Sequence, residues 1–269
     1  MRILVVGAGG IGGYFGGRLA AVDQDVTFLV RPKRAEVLRE KGLIIRSPLA
    51  DAHIDEPRLV TADELEGHFD LVLLSCKAYD LDDAMNAFAP AVGPQTAILP
   101  LLNGMAHLDR LEVRFGAEAV LGGTCFISTT IGSDGEIRHM NDLHRLTFGE
   151  RRGGLSARVN AIAAAFADAN FTTQASETIL ADMWEKWIFI AATAGMTCLM
   201  RSSIGDYVAA GASDLALKLI DECTDIAADR GFTLSRVSGE RVRENITRTG
   251  SPITASMLRD IQAGGRIES

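Results

Sequence analysis

The chain has 269 residues, of which 47% are hydrophobic and 23% are charged, and its formal net charge is −8 at pH 7. This length accommodates two domains of ordinary size, and the hydrophobic fraction supports a large core. The acidic balance argues against a nucleic-acid partner, because proteins that hold nucleic acid usually present a basic face. The 4 cysteines are far apart, without a C-x-x-C pair or a histidine cluster, so we expect neither a metal site nor a disulfide framework.

The sequence carries no signal for targeting or for insertion into a membrane. An apolar run follows the first two residues, which leaves no room for a signal peptide. The apolar, uncharged stretch 187–200 has 14 residues and is too short to span a bilayer. We therefore expect a cytoplasmic protein with reduced thiols and no membrane partner.

The first predicted element is an apolar strand, residues 3–6, followed by a glycine-rich turn and a helix. Glycines at the first and third positions of such a turn let the main chain approach a pyrophosphate, and the last glycine lets the helix pack on the strand. A purely structural glycine turn is the alternative. The strand before and the helix after favour a dinucleotide site formed by Gly7, Ala8, Gly9, Gly10, Ile11 and Gly12.

The second predicted strand, residues 25–30, ends at a basic residue. A site for NAD usually places an acid there to bind the ribose 2′-hydroxyl, whereas a basic residue suits the 2′-phosphate of NADP. Arg31 occupies this position, and Lys33 and Arg34 follow closely. A solvated basic turn is the alternative, but the pattern favours NADP(H) over NAD(H).

Strands and helices alternate over the next hundred residues. A short helix over 35–41 ends at Gly42, and further strands are predicted at residues 43–45, 71–75 and 96–102. This alternation predicts a doubly wound parallel sheet of the Rossmann type. The β-rich segments 120–131, 136–138 and 146–149 are expected to extend that sheet with antiparallel strands.

The second half of the chain has a helical character. An alanine-rich helix begins at Ser156, residues 171–173 form a last short strand, and everything after Ser176 is predicted to be helical. We therefore expect an NADP-binding Rossmann domain over 1–175 and an all-helical substrate domain over 176–269. After the glycines at 264 and 265, Arg266 should begin a further element, so the helical domain is expected to be incomplete at its C-terminus.

Lys186 is the strongest candidate for a proton donor. It precedes a stretch that is apolar nearly all round from Trp187 onward, which is typical of a buried helix. An ammonium group beside an apolar wall has its charged form disfavoured, which lowers its pKa and makes it a usable acid near neutral pH. The alternative is a lysine that reaches solvent or pairs with Asp182 or Glu185.

Four short motifs stand out along the chain. They are the glycine-rich turn with Arg31, LLNG at 101–104, WEK at 184–186, and SMLRD at 256–260 together with Glu268. Together they resemble the ketopantoate reductases (2-dehydropantoate 2-reductases). The resemblance spans essentially the whole chain and implies a Rossmann domain followed by a helical domain. It also implies an NADPH-dependent reduction of a 2-keto acid to a 2-hydroxy acid in pantothenate biosynthesis.

The resemblance also implies a role for each matching residue. Lys186 would be catalytic, protonating the alkoxide oxygen that forms as hydride leaves the nicotinamide. Asn103 would contact both the nicotinamide ribose and the substrate, and Ser256 the substrate carboxylate. Lys77 would lie near the cofactor, and Glu268 beside its nicotinamide end. The alternatives are a simple turn at Asn103, a helix cap at Ser256 and a surface acid at Glu268.

Three positions depart from the family and leave the substrate open. Ile190, Ala194 and Ile253 stand where better-known members carry asparagines. Losing polar contacts can change substrate preference by orders of magnitude, so a bulkier or more apolar 2-keto acid is an alternative to 2-dehydropantoate.

Two other functions stay open as alternatives. One is an NADPH-sensing regulator without catalysis, and the other is a related dehydrogenase with a different keto substrate. A phosphorylated substrate would need a basic pocket, but the spacing of Arg241, Arg243 and Arg248 indicates a solvated helix face. The apolar helical half is compatible with a homodimer.

Overall fold

The computed structural model describes residues 1–268, which form two compact units that divide after Ile179. The strands are β1 (Arg2–Val6), β2 (Asp25–Leu29), β3 (Leu43–Arg46), β4 (Ala52–Ile54), β5 (Leu59–Val60), β6 (Leu71–Leu74), β7 (Ala97–Pro100), β8 (Gly122–Ile131), β9 (Ile137–Gly149) and β10 (Thr172–Ala175). The helices are α1 (Gly10–Ala20), α2 (Pro32–Lys41), α3 (Leu81–Phe88), α4 (Ala106–Phe115), α5 (Ala157–Phe166), α6 (Ile179–Met200), α7 (Ile204–Ala209), α8 (Ser213–Asp229), α9 (Arg236–Ile246) and α10 (Ser256–Gln262).

The first sheet of the N-terminal unit is parallel and has the strand order β5-β2-β1-β6-β7. Val6 pairs with Leu29 on one side and Leu74 on the other, and Leu74 pairs with Pro100, so four strands end at the same level. The predicted Rossmann-type sheet is confirmed. Its strand order reverses at β1, and ligands of such sheets bind outside the carboxyl ends of the strands at this point.

A second sheet corrects the prediction that the later strands extend the first. Its order is β10-β9-β3-β4, with β8 pairing along β9 in antiparallel fashion. The segments 136–138 and 146–149, predicted as separate strands, form the two ends of the single strand β9, which begins at Ile137. Between them, His139, His144 and Arg145 still pair with β8, whereas residues 140–143 fall at an irregularity opposite Ile127 and Thr129.

Helix α1 packs against both sheets through its glycines. A Cβ on Gly16 would lie 2.7 Å from the Phe28 ring in β2, and one on Gly17 would lie 2.6 Å from Leu43 Cδ2 in β3. Because glycine has no side chain, the helix axis can approach both layers. One hydrophobic core therefore joins residues of the two sheets, among them Val5, Phe28 and Phe148.

The C-terminal unit consists of helices within the residues that the structure describes. Its core joins Ile188 and Met196 of α6 to Ile220 of α8 and Ile246 of α9. Tyr207 is buried there and donates a hydrogen bond to the Ile246 carbonyl oxygen at 2.7 Å; burial raises the pKa of this tyrosine to about 12. The predicted element at Arg266 is wrong for the described residues, since 266–268 form neither helix nor strand.

Residues 1–268 contain neither a candidate membrane span nor a candidate metal cluster. Over 1–268, no helix combines the length and the apolar character needed to cross a bilayer. Over the same residues, no three His, Cys, Asp or Glu side chains are grouped as a metal site would require.

Candidate active site

The glycine-rich turn at the end of β1 is held in place by a serine of the neighbouring strand end. Ser75 Oγ donates to the carbonyl oxygens of Val6 at 3.0 Å and Gly7 at 3.1 Å. A Cβ on Gly12 would lie 2.1 Å from the Gly7 carbonyl oxygen and 2.1 Å from Ser75 Oγ. Helix α1 therefore lies so close to the turn that only glycine fits at position 12.

The N-terminus of α1 offers space for an anion. Gly9 caps the helix without a side chain, so no side-chain oxygen binds the amides of the first turn. A Cβ built on Gly9 would meet no atom within 4 Å, whereas one on Gly10 would lie 2.8 Å from Thr129 Oγ1. Gly9 thus borders open space, while Gly10 packs on β8. Open amides at a helix N-terminus suit the pyrophosphate of a dinucleotide.

Arg34 braces this turn. Its Nε donates to the Ala8 carbonyl oxygen at 3.0 Å, and its Nη1 donates to the Gly135 carbonyl oxygen at 2.8 Å. Burial lowers the pKa of the Arg34 guanidinium. The sequence grouped Arg34 with Arg31 as a basic cluster, but its hydrogen bonds lie within the fold. No local pattern announces them, because Gly135 is far away in the chain.

Arg31 lies two residues beyond the end of β2 and is the N-cap of α2. Its side chain is 69% exposed, and its Nη2 lies 3.1 Å from Oδ1 of Asp80, whose side chain is 23% exposed. Hydrogen bonding to this carboxylate raises the pKa of Arg31. Sequence reasoning missed Asp80, which lies in the short turn after β6.

Lys77 and Asn103 follow the next two strands of the sheet. Lys77 is half-buried between β6 and a 3-10 turn over Ala78–Asp80. Asn103 is exposed in the loop after β7, before Gly104, whose φ is +88°. Since β1, β2, β6 and β7 are parallel and end level, the glycine-rich turn, Arg31, Lys77 and Asn103 all follow carboxyl ends at one edge of the sheet.

Lys186 lies near the start of α6 in the C-terminal unit and is half-buried. The rings of Trp184 and Trp187 meet edge to face at 5.2 Å, and Trp184 stacks on Phe232 at 5.8 Å. Trp184, Trp187 and Phe232 therefore form an aromatic cluster on one side of this part of α6.

Glu185, which precedes Lys186 in α6, contacts two residues of α9. Its Oε2 accepts a hydrogen bond from Ser238 at 2.8 Å, and its Oε1 pairs with Arg241 of α9. Arg243 pairs with Asp221, and Arg248 lies 3.7 Å from Glu244. Each of the three arginines has an acidic neighbour and an exposed side chain. The predicted solvated helix face is confirmed for Arg241 and Arg243 of α9, whereas Arg248 follows the end of the helix.

The face of α6 that carries Lys186 continues as a largely apolar surface. Ile190 and Ala194 follow at intervals of four residues, so they line up with Lys186 along the helix, and both are half-buried. Thr193 lies on the same side and is 4% exposed; its hydroxyl has no hydrogen-bond partner among the described residues. Sequence reasoning passed over this threonine, because one hydroxyl in an apolar helix is not a motif.

The last two candidates also belong to the C-terminal unit. Ser256 is the first residue of α10 and is exposed, whereas Ala255 is the N-cap, so a capping role for Ser256 is wrong. The Ala255 amide donates to Thr197 Oγ1 at 3.4 Å, which ties the start of α10 to α6. Glu268 is half-buried in an irregular segment.

The strand order and the glycine-rich turn define a Rossmann-type dinucleotide-binding protein. Comparison with known families is more specific. The family model described as ketopantoate reductase PanE/ApbA matches residues 3–153, and the one described as ketopantoate reductase PanE/ApbA C terminal matches residues 178–269. The chain belongs to the ketopantoate reductase family and is a nicotinamide-dependent oxidoreductase.

Individual relatives agree with this family. The chain is 39% identical over 269 residues to an uncharacterized oxidoreductase, YkpB, of Bacillus subtilis strain 168, covering 100% of this chain and 88% of the relative. It resembles the crystal structure of 2-dehydropantoate 2-reductase from Methylococcus capsulatus with a TM-score of 0.87 and 30% identity, covering 100% and 86% of the two chains. A ternary structure of D-mandelate dehydrogenase with NADH and anilino(oxo)acetate has a TM-score of 0.87 at 20% identity, covering 100% and 88%, and shares the fold.

Proposed function

We propose that this protein reduces a 2-keto acid to a 2-hydroxy acid with NADPH, and that 2-dehydropantoate is its substrate, which would place it in pantothenate biosynthesis. The observation that carries the proposal is that the family match extends over both units. It includes the glycine-rich turn in one unit and the helix bearing Lys186 in the other. The open amides at the N-terminus of α1 further support dinucleotide binding.

The proposal assigns a task to each residue. A reduced nicotinamide, when bound, supplies the hydride. The amides of residues 7–12 bind the pyrophosphate, Arg31 binds the 2′-phosphate, and Lys77 and Glu268 contact the cofactor. Asn103 and Ser256 hold the substrate.

In this scheme Lys186 donates the proton. A developing alkoxide needs a nearby acid, and positioned general acids contribute about 10²–10⁴-fold to such steps. The ammonium group of Lys186 belongs to a half-buried side chain, where its charge is less screened than in water.

The test is oxidation of NADPH over a panel of 2-keto acids, followed by absorbance. We expect Lys186→Ala to lower kcat by about 10²–10⁴-fold while the affinity for NADPH, measured by nicotinamide fluorescence, stays unchanged. Lys218→Ala, on an exposed site of α8, is the matched control. Full activity of Lys186→Ala would refute the assigned role. NADPH binding without turnover of any acid would favour the regulator.

A more apolar 2-keto acid is the second candidate substrate. The apolar surface formed by Ile190 and Ala194 beyond Lys186 favours it, because apolar side chains cannot hydrogen-bond to the hydroxyl of 2-dehydropantoate. An aromatic 2-keto acid in the panel decides between the two by its kcat/KM. If it exceeds that of 2-dehydropantoate, Ile190→Asn should reduce the difference.

A further inference from the structure

The ion pair between Arg31 and Asp80 joins the segments that follow β2 and β6, the two strands that flank β1 in the first sheet. Arg31 follows β2, and Asp80 closes the turn after β6. The Asp80 amide donates to the Lys77 carbonyl oxygen at 2.9 Å, so backbone hydrogen bonding orders the turn that presents the carboxylate. The two side chains approach to 3.1 Å although that of Arg31 is 69% exposed.

The surroundings of Arg31 carry more negative charge than the basic residues at 31–34 suggest. Asp83, in the first turn of α3, is a second carboxylate that acts electrostatically on Arg31. Arg34 Nε and Nη1 donate to the Ala8 and Gly135 carbonyl oxygens, and its Nη2 is buried, without a hydrogen-bond partner among the described residues. Lys33 is exposed on α2. The guanidinium that would receive a 2′-phosphate is therefore already neutralised by a carboxylate.

The two nicotinamide dinucleotides respond differently to such a pair. A phosphate monoester carries nearly two negative charges at neutral pH, so it must share Arg31 with Asp80 and is repelled by the carboxylate. A ribose 2′-hydroxyl carries no charge, and an acid beside it can accept its hydrogen bond. The same carboxylate thus weakens the binding of NADPH and leaves the binding of NADH unchanged or strengthens it.

We propose that Asp80 determines the nucleotide selectivity of this protein: by holding Arg31 it keeps the preference for NADPH small and allows NADH to bind at the same site. This inference rests on the proposed function, which assigns Arg31 to the 2′ position of the nucleotide. It adds a specificity-determining acid to that site.

The test measures dissociation constants of NADPH and NADH for the full chain by nicotinamide fluorescence, without turnover. The carboxylate of Asp80 repels a nearby, doubly charged 2′-phosphate. Removing this repulsion corresponds in water to an affinity gain of about five- to tenfold. We expect Asp80→Asn to lower the dissociation constant of NADPH by about this factor and to leave that of NADH unchanged or higher. Part of the gain in NADPH affinity should be lost at high salt. Asp80→Ser should act in the same direction.

Asp82→Asn is the matched control, because Asp82 is also acidic and lies near the start of α3 but pairs with Arg110. The ratio of the affinities of this variant for NADPH and NADH should stay at the wild-type value. Arg31→Gln should lower the preference for NADPH. If Arg31→Gln lowers it while Asp80→Asn and Asp80→Ser leave it unchanged, the role of Asp80 is refuted and the NADPH assignment stands. If the wild type binds neither nucleotide, the proposed function fails, and this inference with it.

Discussion

Replacing Gly12 by alanine should destabilise the N-terminal unit. The new Cβ would lie 2.1 Å from the Gly7 carbonyl oxygen, a backbone atom that can move only if β1 or α1 moves. Overpacking a tight site costs about 1–3 kcal/mol, and contact with the backbone on one side and Ser75 on the other places Gly12→Ala at the upper end. A loss of about 3 kcal/mol corresponds to a fall in Tm of roughly 6–12 °C for a protein of this size.

Gly9→Ala is the matched substitution in the same turn. Its Cβ would meet no atom within 4 Å, and Gly9 has φ −83° and ψ −164°, which alanine adopts without strain. We expect its stability to stay within about 0.5 kcal/mol of the wild type. The methyl group would, however, occupy the space in front of the α1 amides, so we expect the affinity for NADPH to fall at least about tenfold, or 1.4 kcal/mol.

Thermal unfolding followed by circular dichroism and NADPH titration by fluorescence separate the two effects. A Gly12→Ala protein that melts with the wild type would contradict the close packing of α1 on the turn. A Gly9→Ala protein that binds NADPH as tightly as the wild type would show that the pyrophosphate does not bind at this helix end.

Two further predictions concern pH and stability. Burial, with the positive charges of His139 and Arg18, lowers the pKa of His144; the folded state then binds a proton less readily than the unfolded chain, so stability is lost as the pH falls below about 6.5, by at most 1.4 kcal/mol per pH unit. His144→Gln should reduce the change of the urea unfolding midpoint between pH 5 and pH 7. A midpoint that changes with pH as in the wild type would contradict this reasoning. Glu150 accepts hydrogen bonds from Arg158 Nε at 2.7 Å and Nη2 at 2.6 Å. These hydrogen bonds are the main reason why the pKa of Glu150 is lowered. Glu150→Gln should cost about 1–2 kcal/mol at pH 7, and the difference from the wild type should shrink as the pH falls below about 4.5; an equal loss at pH 3 would refute it.

The order and type of most elements followed from local patterns. Pro32 at the first helical position and Gly42, with φ +71°, bound α2. The apolar runs of β1, β6 and β7 correspond to strands with buried side chains. These features depend on residues a few positions apart, which is why periodicity and turn chemistry predict them.

The candidate site was predictable where it consists of strand ends. The glycine-rich turn, Arg31, Lys77 and Asn103 each follow a predicted strand, and parallel strands that end level bring such residues to one edge. The partners of these residues were not predictable. Asp80 approaches Arg31, and Ser75 binds the Gly7 carbonyl oxygen, through pairings between segments distant in the chain.

Local patterns and short motifs were enough to predict the Rossmann half, the helical half and the family. Three features became visible only in the folded chain: β3, β8 and β9 form a second sheet, Arg34 braces the turn, and a carboxylate pairs with Arg31. The physical reason is that strand pairing and ion pairing join groups that are far apart along the chain. Their energies depend on which surfaces meet, and no stretch of sequence states that alone.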